Sequence, residues 1–110
     1  MGDAVYEQFV RERIVLSANM PVGRLHSEAV KKVRAAFQAR AAEKILPLLS
    51  EEELDIFKRG RNANGNAVPK SSNPAEYRRA TGLECLFGYL HLCGERQRLC
   101  ELFDLIWEIE

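Results

Sequence analysis

At 110 residues the chain is long enough for one domain with a modest core and too short for two. Hydrophobic residues make up 46% of it, which argues against disorder, yet its longest apolar runs are only a few residues, so no segment is predicted to span a membrane. The formal net charge is zero, but residues 58–79 hold six basic side chains against the single acid Glu76, a local excess of +5 that makes the chain dipolar and reads either as a polyphosphate-binding tract or as a solvated loop.

Gly2–Leu16 has helical spacing, with Val5, Phe9 and Leu16 on one side and Asp3, Glu7 and Arg11 on the other. Asp3 and Glu7 stand four apart on one face, where like charges repel unless a cation or Arg11 offsets them. The first turn already holds Val5 and Tyr6, so this first helix is expected to be truncated at its start. No signal peptide is expected, because the chain opens directly on Met1-Gly2-Asp3-Ala4.

Ser17–Arg24 carries Asn, Pro and Gly and reads as a connector. Leu25–Leu49 reads as helical from a Ser27 cap, with Val30, Val33, Phe37, Ala41, Ile45 and Leu48 in one stripe. A run of that length is expected to bend, around Arg34–Gln38, and Pro47 to end or kink it. Ser50-Glu51-Glu52-Glu53 is a capping box opening a short helix to Lys58. Arg59–Ser72 is rich in Gly, Asn and Ser and reads as a loop, of a length usually associated with function or disorder.

Asn73–Cys93 reads as the central helix. Asn73 is its N-cap, Pro74 its first residue and Gly94 its stop. Leu83, Cys85, Leu86, Phe87, Tyr89, Leu90 and Leu92 make it apolar on nearly every side. Glu84 lies among them, in a stripe with Thr81, Gly88 and His91. A buried carboxylate needs a cation, hydrogen-bond donors or an edge open to water. It reads equally as a salt bridge to an arginine of another helix or as a functional acid. Glu95–Glu110 is amphipathic, with Leu99, Leu102, Phe103 and Ile106 facing in and Arg98, Glu101, Asp104 and Glu108 facing out. Cys85, Cys93 and Cys100 lack metal-site spacing and read as reduced core thiols of an intracellular protein. The fold class is all-α, with five or six helices.

Three features then stand together: Gly2-Asp3-Ala4-Val5 in a helix, a basic Gly/Asn segment, and Glu84 within Leu83-Glu84-Cys85-Leu86. This combination resembles the ribonuclease III family, and within it the compact Mini-ribonuclease III branch. Lys58-Arg59-Gly60-Arg61-Asn62-Ala63, Lys70, Tyr77-Arg78, Gly88-Tyr89-Leu90 and Leu25-His26 fit that branch in order. The resemblance implies a ribonuclease III-like catalytic domain covering residues 1–110, with no double-stranded-RNA-binding domain after it. It implies Mg²⁺-dependent hydrolysis of double-stranded RNA, with Asp3 and Glu84 as catalytic metal ligands. The residues implied for RNA binding are Lys58, Arg59, Arg61, Asn62, Lys70 and Arg78. It further implies a cytoplasmic homodimer, no membrane association, and a role in maturing large-subunit ribosomal RNA. Two departures stand out: the acid one turn upstream of the signature Asp in larger relatives has no counterpart, and Thr81 occupies the place of a further acid. Glu7 and Thr81 are therefore helper candidates only, and His26 and His91 carry no assigned role. A non-catalytic RNA-binding member of the same fold and a helical dimeric adaptor are the alternative readings.

Overall fold

The computed structural model of the protein describes residues 2–16, 27, 30–63, 68 and 73–109. Within them the chain is all-α, as expected, with no strand among the described residues. Helix α1 runs Gly2–Leu16, α2 Ala35–Ile45, α3 Glu51–Arg61, α4 Pro74–Leu92 and α5 Arg96–Trp107. Ser27 and residues 30–33 are also helical and precede α2. The expected bend is a clean break at Arg34, whose backbone is extended at φ −67 and ψ 146. None of the described helices is long and apolar enough to cross a membrane.

Local chemistry accounts for the helix ends. The Asn73 side chain accepts from the backbone N–H groups of Ala75 and Glu76, at 2.9 and 3.3 Å, and Pro74 follows it. Gly94 takes a φ of +72, the left-handed conformation that ends helices at little cost for glycine. Ser50 and Glu53 form the full reciprocal capping box at the start of α3. The same Glu53 carboxylate is gripped by both ends of the Arg98 guanidinium at 2.8 Å, while Arg98 also donates to the Leu48 carbonyl. Arg98 therefore does not face out freely; it joins the starts of α3 and α5.

Helix α4 is central, packed by α1, α2, α3 and α5. Leu83, Leu86 and Phe87 are fully buried on it, each stabilising the fold by roughly 1.5–3 kcal/mol. Around Phe87 the rings of Tyr6, Phe9 and Phe103 meet largely edge to face, tying α1 and α5 onto α4. Arg13 adds an ion pair to Asp104 and lies over the rings of Phe103 and Trp107.

Several sequence expectations are corrected. Helix α3 does not stop at Lys58 but continues to Arg61, so Arg59 and Arg61 join Lys58 in its last turn rather than opening a loop. The reason is tertiary: Gly60 is buried at the crossing with α4, where a Cβ would lie 2.6 Å from the Cβ of Cys85 and 3.1 Å from the α carbon of Gly82. Leu48 leaves the apolar stripe and is 52% exposed, because residues 46–48 form a 3₁₀ turn around Pro47 that changes the register. Leu16 is exposed, whereas Tyr6 and Val10, not assigned inward, are buried. No disulfide joins the three cysteines; Cys85 and Cys93 are exposed and so are not core thiols, while Cys100 is half-buried against the core.

Candidate metal and RNA site

The site begins where α1 meets the middle of α4. Gly2 and Tyr6, one turn apart on α1, face Glu84 and Phe87, one turn apart on α4. At the first contact there is no space for a side chain. A Cβ on Gly2 would fall inside the Glu84 carbonyl oxygen and lie 2.5 Å from its carbonyl carbon. The start of α1 thus rests directly on the backbone of the turn that carries Glu84.

Asp3 follows Gly2 at the exposed rim, its Oδ1 accepting from the Ala4 N–H at 2.9 Å. Glu84 is half-buried below it. Burial first, and then the nearby Asp3 charge, together push the Glu84 carboxyl up to about 7. No lysine or arginine among the described residues makes an ion pair with Glu84, so the salt-bridge reading of this acid is not the one observed. Two carboxylates brought within electrostatic reach, one of them poorly solvated, are a donor set suited to a hard divalent cation. Among the described residues no group of three or more Asp, Glu, His or Cys side chains surrounds a common point. A two-carboxylate set fits Mg²⁺, which keeps several waters and takes one or two protein carboxylates.

The helper candidates contribute less. Glu7, one turn along α1, accepts two bonds from Arg11, at 3.0 and 3.1 Å, so the anticipated offset by Arg11 is present. The Thr81 hydroxyl donates to the Tyr77 carbonyl at 3.0 Å and adds no charge. His91 is exposed in the last turn of α4, while His26 lies outside the described residues.

Part of the predicted cationic set lies beside this seam. Cys85, next to Glu84, abuts Gly60 at the α3–α4 crossing, and Gly60 is flanked by Arg59 and Arg61. The basic last turn of α3 is therefore adjacent in space to the turn carrying Glu84. Lys58 and Arg59 are exposed, with Arg59 paired to Asp55 at 3.0 Å. Arg61 is half-buried and donates to Asn62 Oδ1 at 3.1 Å. Arg78 is exposed on α4, and Lys70 lies outside the described residues. Neither Gly2 nor Tyr6 was singled out from sequence. The small residue before Asp3 was the available signal, but helix-on-helix contact is invisible to periodicity.

Comparison with known proteins identifies the family and the fold. Residues 1–95 match the ribonuclease III domain family. The chain is 47% identical over 104 residues to Mini-ribonuclease 3 of Symbiobacterium thermophilum, covering 94% of this chain and 80% of that protein. It is 50% identical over 105 residues to the Mini-ribonuclease 3 of a Thermoanaerobacter species, covering 96% and 74% respectively. A crystal structure of a Fusobacterium nucleatum protein superposes with a TM-score of 0.86 at 30% identity, over 96% of this chain and 80% of that one.

Proposed function

This chain belongs to the ribonuclease III family, in its Mini-ribonuclease 3 branch, and from that premise we propose that it cleaves double-stranded RNA through an Asp3–Glu84 pair that holds Mg²⁺. The observation that carries this reading is the packing of Gly2 onto the Glu84 backbone, which brings the Asp3 charge to bear on a half-buried carboxyl. Mg²⁺, when bound, polarises a phosphate oxygen and lowers the pKa of a coordinated water.

The protein's own residues do the rest. Asp3, at the rim, and Glu84, beneath it, would hold the cation from two different helices, so their mutual placement depends on the α1–α4 contact. Lys58, Arg59, Arg61 and Arg78 pair with phosphates along one strand, and Asn62 hydrogen-bonds sugar or phosphate oxygens. Lys70 is assigned to the same role by its place in the basic tract. A-form RNA is recognised by shape through phosphates and 2′-hydroxyls, so binding is salt-sensitive and weakly sequence-dependent. Thr81 in place of an acid leaves the second side of the site without charge, which favours one firmly held ion.

We take the working form to be a cytoplasmic homodimer of this single domain, each protomer cutting one strand of the duplex, with precursor large-subunit ribosomal RNA as substrate. The local two-folds of a duplex suit an isologous dimer.

The test is cleavage of labelled duplex RNA in Mg²⁺ and in EDTA. Asp3→Asn and Glu84→Gln are expected to lose Mg²⁺-dependent cleavage by about 10²-fold or more while remaining folded and still binding duplex. Folded Asp3→Asn that cuts at the parent rate ends the proposed role of Asp3. The alternative of a non-catalytic RNA-binding member predicts duplex binding indifferent to Mg²⁺ with no cleavage by the parent protein.

A further inference from the structure

The break at Arg34 exposes the last carbonyls of the helical residues before it. With the backbone extended at Arg34, these groups lack the usual helical donors four residues on. Two side chains take their place. Gln38 Nε2 donates to the Val33 carbonyl at 2.9 Å, and the Tyr6 hydroxyl donates to the Lys32 carbonyl at 3.0 Å. The second bond is long-range: it ties α1, one turn beyond Asp3, to a third element of the fold.

Tyr6 is 1% exposed, and its ring meets Phe87 at 5.5 Å and Phe103 at 5.9 Å, both near edge to face. A phenylalanine would make those ring contacts equally well. The hydroxyl contributes direction instead. Next to the Gly2–Glu84 contact, where Gly2 has no side chain to interlock, the apolar packing of α1 supplies no directional bond to set its roll. A hydrogen bond to a carbonyl fixed elsewhere defines it.

The acceptor is itself firmly held. Lys32 is 8% exposed, its ammonium lies over the rings of Phe37 at 4.6 Å and Trp107 at 4.9 Å, and it donates to the Ile109 carbonyl at 3.1 Å. Through its side chain Lys32 is thus held against α2 and the end of α5. Burial, and then the neighbouring Glu84 charge, push the Tyr6 phenol upward, so it remains a protonated donor in neutral solution.

We propose that Tyr6 is a positioning residue: its hydrogen bond to the Lys32 carbonyl sets the roll of α1 that turns Asp3 toward Glu84. Tyr6 touches neither cation nor substrate in this role. The inference rests on the reading of Asp3 and Glu84 as a Mg²⁺ pair, and it assigns to a core tyrosine an effect on metal affinity that core packing alone does not produce.

The experiment compares Tyr6→Phe with Arg13→Met and the parent protein. Arg13 ties the far end of the same helix to Asp104 of α5, so its replacement loosens α1 while keeping the Tyr6 hydroxyl. Mg²⁺ binding is measured by calorimetry on the RNA-free protein, in the cold so that both variants are folded, with thermal melts and duplex binding in EDTA alongside. Tyr6→Phe is expected to weaken Mg²⁺ binding about tenfold, as loss of an outer-shell partner does, with duplex affinity unchanged. Arg13→Met is expected to lower the melting temperature while Mg²⁺ affinity stays at the parent value. Parent-like Mg²⁺ affinity in folded Tyr6→Phe, or equal weakening in both variants, overturns the proposal. A parent protein that binds no Mg²⁺ overturns instead the metal-pair reading beneath it.

Discussion

The carbonyl oxygen of Glu84 occupies the space in which a side chain on Gly2 would begin, so the residue before Asp3 has room for hydrogen alone. Gly2→Ala must push the start of α1 off α4 and carry Asp3 with it. The rest of α1 stays anchored through buried Val5, Tyr6, Phe9, Val10 and Ile14. The expected result is a folded protein whose cleavage rate falls about 10²-fold, the scale of a misplacement near 1 Å at a reacting centre. Duplex binding in EDTA, measured beside the cleavage rate, is expected to remain close to the parent value.

Glu84 makes the metal-free fold less stable at neutral pH. Its folded carboxyl titrates at about 7 against an ordinary 4.5, so the folded state binds the proton more tightly than the unfolded state. The favourable contribution is present below the ordinary value and is lost as pH rises through about 7. In EDTA at pH 8, Glu84→Gln is therefore expected to be stabilised by about 1–2 kcal/mol, a full shift being reduced by partial solvation. At pH 4 the two proteins should melt alike. Mg²⁺ should stabilise the parent more than the variant, and a variant less stable than the parent at pH 8 contradicts the account.

How much of this was legible in the sequence depends on the range of the interactions involved. The caps at Ser50 and Asn73 and the stop at Gly94 are local and were read at their correct positions. The break at Arg34 fell within the expected bend, and the apolar density of Leu83–Leu90 marked α4 as central. Gly60 fell within the segment read as a loop, yet α3 passes through it because its lack of a side chain lets α4 approach. Leu48 and Leu16 followed the apolar pattern but lie beyond the end of the packing surface that would cover them. At the site, Asp3 and Glu84 were found by motif resemblance and by the oddity of an acid in an apolar helix. The contact that joins them runs through backbone and a glycine, which no side-chain pattern encodes.

The basic end of α3 supplies a direct test of the binding surface. Arg59 and Asp55 are both exposed, so their ion pair contributes little to stability and yields readily to a phosphate. Replacing Arg59 and Arg61 together with Ala is expected to weaken duplex binding and to reduce the salt slope by about 2, one per lost phosphate contact. Asp55→Asn should do the opposite at low salt by releasing Arg59. Filter binding across a salt series measures both, and an unchanged slope in the double variant removes this turn from the RNA surface.

The Glu53–Arg98 pair is expected to control acid stability without touching the RNA site. Glu53 accepts from the Nε and Nη2 of Arg98 and from the Ser50 N–H, and those bonds hold its carboxyl below the ordinary carboxylate range. Its side chain is 10% exposed and that of Arg98 28%, so solvent screens the pair only in part. For a depressed carboxyl the sign is the reverse of that for Glu84: the stabilisation is present above the ordinary value and is lost as pH falls through the lower folded value. Removing one partner of a largely buried pair costs about 3–5 kcal/mol when burial is complete, and about 2 kcal/mol is expected with this exposure. Arg98→Met should therefore unfold at lower urea concentration at pH 7 and show a flatter loss of stability between pH 5 and 3. Glu53→Gln keeps an oxygen for the Ser50 N–H but loses the charge, so it should retain the helix start and share the flattened acid profile. If both variants lose stability with acid as steeply as the parent, another carboxylate governs that transition.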